Sequence, residues 1–151
     1  MSEEQAPETF GSPADKLVLI VDDDPLIRDL LELSLGGAGF KVLLAVDGLD
    51  AAAKLESHKP HLILADLMMP AQGGFEFLRS LQGTPAGRLP VIVVTASSLD
   101  ASTISMIRQE SNVVEFVNKP IRMNQLLAAV HKQLGTKPSS SAPVTRGLND
   151  R

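Results

Sequence analysis

"KLVLIVDDDP", residues 16–25, joins an apolar run, Leu17 to Val21, to three consecutive aspartates, Asp22, Asp23 and Asp24, and then to Pro25. Adjacent like charges repel. Crowding them at the end of a buried segment raises their pKa values and costs stability unless positive charge sits nearby. Such an arrangement is either in use or dispersed in solvent. The run itself shows no polar alternation, which fits a strand covered on both faces. Similar runs recur in "KVLLAV" (41–46), "HLILAD" (61–66), "LPVIVVTA" (89–96) and the shorter "VVEFV" (113–117).

Helical candidates separate the runs. "PLIRDLLELSLGGAG" (25–39) sets Leu26, Ile27, Leu30, Leu31 and Leu35 on one side and ends in glycines, a helix stop. "DGLDAAAKLESH" (47–58) offers Leu49, Ala52, Ala53 and Leu55, and "GFEFLRSLQG" (74–83) offers Phe75, Leu78 and Leu81. "DASTISMIRQE" (100–110) carries Ile104, Met106 and Ile107 but is rich in Ser and Thr, which favour caps and turns. "RMNQLLAAVHKQL" (122–134) closes the series with Leu126, Leu127, Val130 and Leu134. The expected fold is therefore α/β: five β–α repeats forming a parallel, doubly wound, flavodoxin-like sheet of order 2-1-3-4-5. In such sheets ligands collect beyond the carboxyl ends of the strands, near the switch point between the first and third.

Composition bounds the rest. With 151 residues and 44% hydrophobic content one domain is expected, and 3% aromatics without Trp or Tyr make its core aliphatic. Few aromatic platforms and a net charge of −4 argue against direct binding to nucleic acid or to an anionic membrane. The absence of cysteine excludes disulfides and thiolate metal sites. "MSEEQAPETFGSPAD" (1–15) is no secretory signal and no apolar run approaches the ~20 residues of a membrane span, so a cytoplasmic protein is expected. The domain should cover residues 15–135, with disordered tails at 1–14 and, Pro/Ser-rich, at 136–151.

On this topology Asp22 and Asp23 follow the first strand, Asp66 ends the third, Thr95 ends the fourth and Lys119 follows the fifth. Three acids, one hydroxyl and one ammonium meet at one edge. Carboxylate oxygens in that number suit Mg²⁺, which relieves the crowding of the aspartates. One carboxylate can then act as a nucleophile toward phosphorus, a reaction that needs mainly positioning and charge neutralisation. The blander reading of the triplet, acids favouring a helix N-terminus, fits Asp24 before Pro25 best. His58, His61 and His131 show no ligand spacing and read as solvent-facing, and "GGAGF" (36–40) follows a helix rather than a strand and reads as a turn.

The four motifs "VDDDP", "ADLMMP", "VTA" and "NKP", in order and each at a strand end, resemble those of response-regulator receiver domains of two-component signalling, and "AVDGLDA" (45–51) is similar to a segment common in that family. The resemblance spans 16–134. It implies that Asp66 is the phosphoacceptor, that Asp22, Asp23, Asp66 and the Met68 backbone carbonyl hold Mg²⁺, and that Lys119 contacts the phosphoryl group. It also implies that Thr95 and Phe116 form the switch and that Lys119–Pro120 is a cis peptide. The implied partners are a histidine kinase or phosphotransfer protein and a downstream protein target. The implied output surface is the fourth helix, fifth strand and fifth helix, with onward transfer of the phosphoryl group as the other route. Asn112 stands where the family favours glycine, and is expected to keep the turn by tolerating positive φ. A stand-alone phosphoacceptor, not an enzyme in its own right, is the first expectation. A metal-dependent phosphatase would want a second acid at the position of Met68, and an interaction module independent of phosphorylation would not need Asp66, Asp23, Thr95 and Lys119.

Overall fold

The computed structural model describes residues 11–67, 74–96 and 100–138. Five parallel strands, β1 (Leu17–Val21), β2 (Lys41–Ala45), β3 (Leu62–Ala65), β4 (Val91–Ala96) and β5 (Val113–Lys119), lie in the order β2-β1-β3-β4-β5. Five helices alternate with them: α1 (Pro25–Gly37), α2 (Gly48–Ser57), α3 (Gly74–Leu81), α4 (Ala101–Arg108) and α5 (Met123–Leu134). This is the expected order, 2-1-3-4-5.

Strand residues alternate between two cores. Leu19, Val21, Ile63, Ala65, Val91 and Val93 face α2, α3 and α4 through Ala51, Phe77, Leu78, Leu81 and Ile107. Val18, Ile20, Leu62, Leu64, Ile92 and Val94 face α1 and α5 through Leu31, Leu35, Leu126, Ala129 and Val130. Burial on both sides is why the strands read as continuous apolar runs. Each of these large aliphatic side chains contributes ~1.5–3 kcal/mol by leaving water.

The register is regular except in β5. Val91 pairs with Val113 but Ile92 pairs with Glu115, so Val114 is an extra residue in a bulge. Val113 and Phe116, three apart, therefore pack against the same core, and Val117 against the other. Strict alternation from Val113 would have sent Phe116 to the opposite face.

Several helix faces differ from the sequence reading. In α1 the buried side is Leu31 and Leu35, whereas Leu26 and Leu30 are exposed, together with Leu33. A helix with leucines nearly all round does not disclose which stripe meets the sheet. In α2 the buried residues are Gly48 and Ala51, and Leu49 faces solvent. In α3, Phe77 fills the core beside Leu78 and Leu81, an anchor the sequence reading missed. Met106 of α4 is exposed, and Ile107 carries that contact. No non-glycine residue among those described has positive φ, so Asn112 does not serve its turn as expected. It is buried instead, its Oδ1 accepting from Gln82 Nε2 at 3.3 Å. The tight turn "GGAGF" relies on Gly39, at φ +102°.

His58 and His61 are exposed as expected, but His131 is buried, 5.1 Å from the Phe40 ring and with Nδ1 2.8 Å from Thr136 Oγ1. Thr136 in turn forms a backbone bridge with Gly11, joining the two ends of the described chain. Burial holds the His131 pKa below its ordinary 6.5. The unfolded chain then binds more protons between the two pKa values, so the contribution of His131 to stability is complete above pH ~6.5 and is lost as pH falls through the folded-state pKa. Urea unfolding at pH 7.5 and 5.5 should show a loss of stability that His131→Gln reduces. An unchanged pH dependence in the variant would show that this imidazole does not resist protonation.

Candidate functional site

Each site residue sits where a strand stops. Asp22 follows β1; its amide donates to Ala45 O at 3.2 Å, and the Asp66 amide donates to Val21 O at 2.9 Å. These bonds place both carboxylates at the same edge. The chain then leaves β1 by a tight turn: the Asp24 amide donates to Asp22 Oδ1, and the Leu26 amide donates to Asp24 Oδ1, both at 2.9 Å. Asp24 thus caps α1, as expected, with Pro25 in the first helical turn where no amide is missed. From α1, Arg28 Nη1 donates to the Asp22 carbonyl at 2.7 Å. The sequence reading did not single out Arg28. Its role depends on a helical turn folding back over the loop, and no motif spacing signals that.

Carboxylate oxygens of Asp22, Asp23 and Asp66 lie within 4.8 Å of one another. Asp22 and Asp66 are buried and Asp23 is exposed. Lys119, at the end of β5, reaches past β4 to Asp66 and past β4 and β3 to Asp22. Its Nζ is 3.2 Å from Asp22 Oδ2 and 3.0 Å from Asp66 Oδ2. Burial pushes the Asp22 carboxyl above the ordinary carboxylate range; the Asp24 amide opposes this, the Asp66 charge adds to it and Lys119 opposes it. Burial alone would lower the Lys119 pKa, but its bond to Asp66 and the charges of Asp22 and Asp66 raise it, so it stays an ammonium. The peptide bond from Lys119 to Pro120 is cis.

Among the described residues, three carboxylates around one ammonium leave negative charge in a partly dry site. The donors are hard oxygens, two of them buried and one open to water, which fits Mg²⁺, a cation that takes few protein ligands and keeps its waters. Asp22, Asp23 and Asp66 would hold it. The fourth expected ligand, the Met68 carbonyl, lies outside the described residues.

Thr95 is buried in β4, level with Asn118 of β5, and its Oγ1 has no hydrogen-bond partner among the described residues. An orphaned hydroxyl in a native core calls for an explanation, and a ligand oxygen arriving at the adjacent strand ends supplies one. Thr95→Val should raise the stability of the metal-free protein by about 1 kcal/mol, since it removes an unsatisfied polar group without changing shape. Denaturant midpoints measure this; a loss of stability would mean that the hydroxyl is already satisfied. Phe116, the other expected switch residue, is half-buried in β5, with the Arg108 guanidinium 4.5 Å from its ring centroid. No helix among the described residues is long and apolar enough to cross a membrane.

Comparison with known proteins agrees with this geometry. Residues 18–131 match the model of the response regulator receiver domain. The chain is 33% identical over 146 residues to the response regulator MprA of Mycobacterium tuberculosis, covering 87% of this chain and 62% of that protein. It is 31% identical over 117 residues to the DNA-binding response regulator MtrA of Mycolicibacterium smegmatis, covering 78% of this chain and 50% of that one. The chain thus spans less than two thirds of the length of these relatives. Among solved structures, the response regulator TrrA of Thermotoga maritima, in complex with Mg²⁺ and BeF, superimposes with a TM-score of 0.68 at 30% identity, over 79% of this chain and 99% of that one. The expectation of no nucleic-acid partner, drawn from few aromatics and net charge, is not supported, since the relative MtrA is a DNA-binding response regulator. The strand order, the convergent carboxylates and lysine and the match over residues 18–131 lead to one assignment: the chain belongs to the response-regulator receiver domain family.

Proposed function

We propose that Asp66 accepts a phosphoryl group from the phosphohistidine of a histidine kinase or phosphotransfer protein, and that the chain signals through the α4, β5 and α5 surface or passes the group on. The observation that carries this reading is the position of Lys119, 3.0 Å from Asp66 and 3.2 Å from Asp22 at the mouth of the sheet. A carboxylate oxygen of Asp66 attacks phosphorus, a P–O bond forms, the P–N bond of the donor breaks, and the imidazole leaves. The Lys119 ammonium is placed to contact a phosphoryl oxygen once Asp66 carries it. Arg28 and the Asp24 amide fix the loop that holds Asp22 and Asp23. Bound among the three carboxylates, Mg²⁺ would neutralise charge on the phosphoryl oxygens and on the acids themselves. The protein is thus an acceptor that assists its own transfer, not a catalyst with a separate substrate.

The switch follows from Thr95. Its hydroxyl, without a partner among the described residues, gains one when a phosphoryl oxygen arrives, and only such a differential contact can shift a conformational equilibrium. The space that Thr95 leaves would be taken by Phe116, whose ring touches Arg108 at the end of α4. Incubation with acetyl phosphate and Mg²⁺ tests the reading. One phosphoryl group per chain, slowly hydrolysed and sensitive to hydroxylamine, is expected. Continuous turnover would indicate a phosphatase, and no incorporation an interaction module. In the phosphorylated state Thr95→Val should still carry the group yet show amide shift changes in α4 and β5 reduced to less than about half those of wild type. Full-size changes there would remove Thr95 from the coupling.

A further inference from the structure

The groove between β5 and α5 has a charge pattern opposite to that of the chain. The full sequence carries −4, yet the charged residues lining this cavity of about 600 Å³ are Glu115 against Lys119, Arg122 and Lys132. Lys119 is committed to Asp22 and Asp66. Arg122 and Lys132 are exposed and have no carboxylate partner among the described residues. They stand at opposite ends of α5, with the small side chains of Ala128 and Ala129 forming part of the lining between them. Ten residues of helix separate them by about 15 Å. Opposite α5 runs β5, an edge strand paired only with β4. Its outer main-chain groups offer hydrogen bonds to an added strand.

We propose that this groove docks an extended acidic segment of a partner protein, with two carboxylates four residues apart, and therefore on the same face of the segment, bound by Arg122 and Lys132. An extended chain advances about 3.3 Å per residue, so four residues span about 13 Å, which the long side chains of Arg122 and Lys132 can meet from about 15 Å apart. The main chain of the segment runs along β5 from Glu115 toward Lys119, and Val114, in the bulge, marks the end of the usable edge. The small side chains on the α5 wall let the backbone of the segment approach closely. The inference rests on the reading of α4, β5 and α5 as the output surface, and it supplies the chemistry of the partner.

The test is titration of the full isotope-labelled chain with a synthetic pentapeptide that has glutamate at its first and last positions and threonine and valine between. A second peptide replaces both glutamates by glutamine. Saturable amide shifts in Glu115–Asn118 and Gln125–Lys132 are expected with the acidic peptide. Affinity should fall by at least about tenfold in Lys132→Glu and again in Arg122→Glu, the loss of one charge-assisted contact each. Equal binding of the two peptides, or shifts outside the groove, would overturn the proposal. So would line broadening that grows with protein concentration without peptide and vanishes in Lys132→Glu, because the occupant would then be a second copy. Acetyl phosphate incorporation, measured separately, distinguishes the two readings. A chain that takes up phosphate but ignores the peptide loses only the groove, and one that binds the peptide but takes up no phosphate loses only the acceptor.

Discussion

Asp66→Asn is expected to abolish uptake of phosphate from acetyl phosphate, by at least about a hundredfold, while leaving the fold intact. The amide keeps the shape of the carboxylate and removes the nucleophile. The variant should also melt no lower than wild type without metal. Among the described residues, wild type places three carboxylates around the Lys119 ammonium, and the Asp22 carboxyl already sits above the ordinary range through burial and the nearby Asp66 charge. Removing one of the three relieves more repulsion than the lost ion pair supplies. A large drop in melting temperature would mean that the pair between Lys119 and Asp66 outweighs that repulsion. Hydroxylamine-sensitive phosphate on the variant would place the acceptor elsewhere.

The second large effect concerns the metal. A ligand that binds only the folded state stabilises it by mass action, ~1.4 kcal/mol at a free concentration ten times its dissociation constant. Mg²⁺ should therefore raise the denaturation midpoint of the wild type, and Asp23→Ala should remove most of that gain. Asp23 suits this test because it is exposed, so its truncation disturbs no packing. Asp22→Ala would be less clear, since that side chain also accepts from the Asp24 amide and bonds to Lys119. If Mg²⁺ in the millimolar range leaves the wild type unmoved, or stabilises Asp23→Ala equally, the carboxylate cluster is not a magnesium site.

Which parts of this structure were legible in advance follows from how each is encoded. Strands covered on both faces, such as β1, β3 and β4, write themselves as unbroken apolar runs, and the alternation of such runs with helical segments pointed to the order of the sheet. Residues just past such runs inherit their position from the sheet. Asp22, Asp23, Asp66, Thr95 and Lys119 could therefore be placed together before any distance was known. Helix orientation was less accessible. Leu26, Leu30 and Leu33 are as apolar as Leu31 and Leu35, and only contact with the sheet tells the two stripes apart. Phe77 was passed over because Phe75 two residues earlier competes for the same pattern. The burial of His131 depends on Phe40 and Thr136, distant or local partners that no spacing rule connects. Arg28 belongs to the same class, since it acts on a backbone carbonyl rather than on a motif.

The extra residue in β5 has a consequence for solubility. An exposed edge carrying "VVEFV" is β-branched, aromatic and carries a single charge, the composition from which strand-to-strand stacking between molecules starts. Val114 breaks the flatness of that edge: the strand bends there, and a neighbouring molecule cannot lay a straight strand along its full length. Deleting Val114 would disturb none of the observed pairs, because Val113 opposite Val91 and Glu115 opposite Ile92 would then be consecutive in a regular ladder. The price would appear outside the fold, as a straight and sticky border. A protein shortened by that one residue should keep its stability and fall out of solution sooner, because the kink protects the molecule from its own copies.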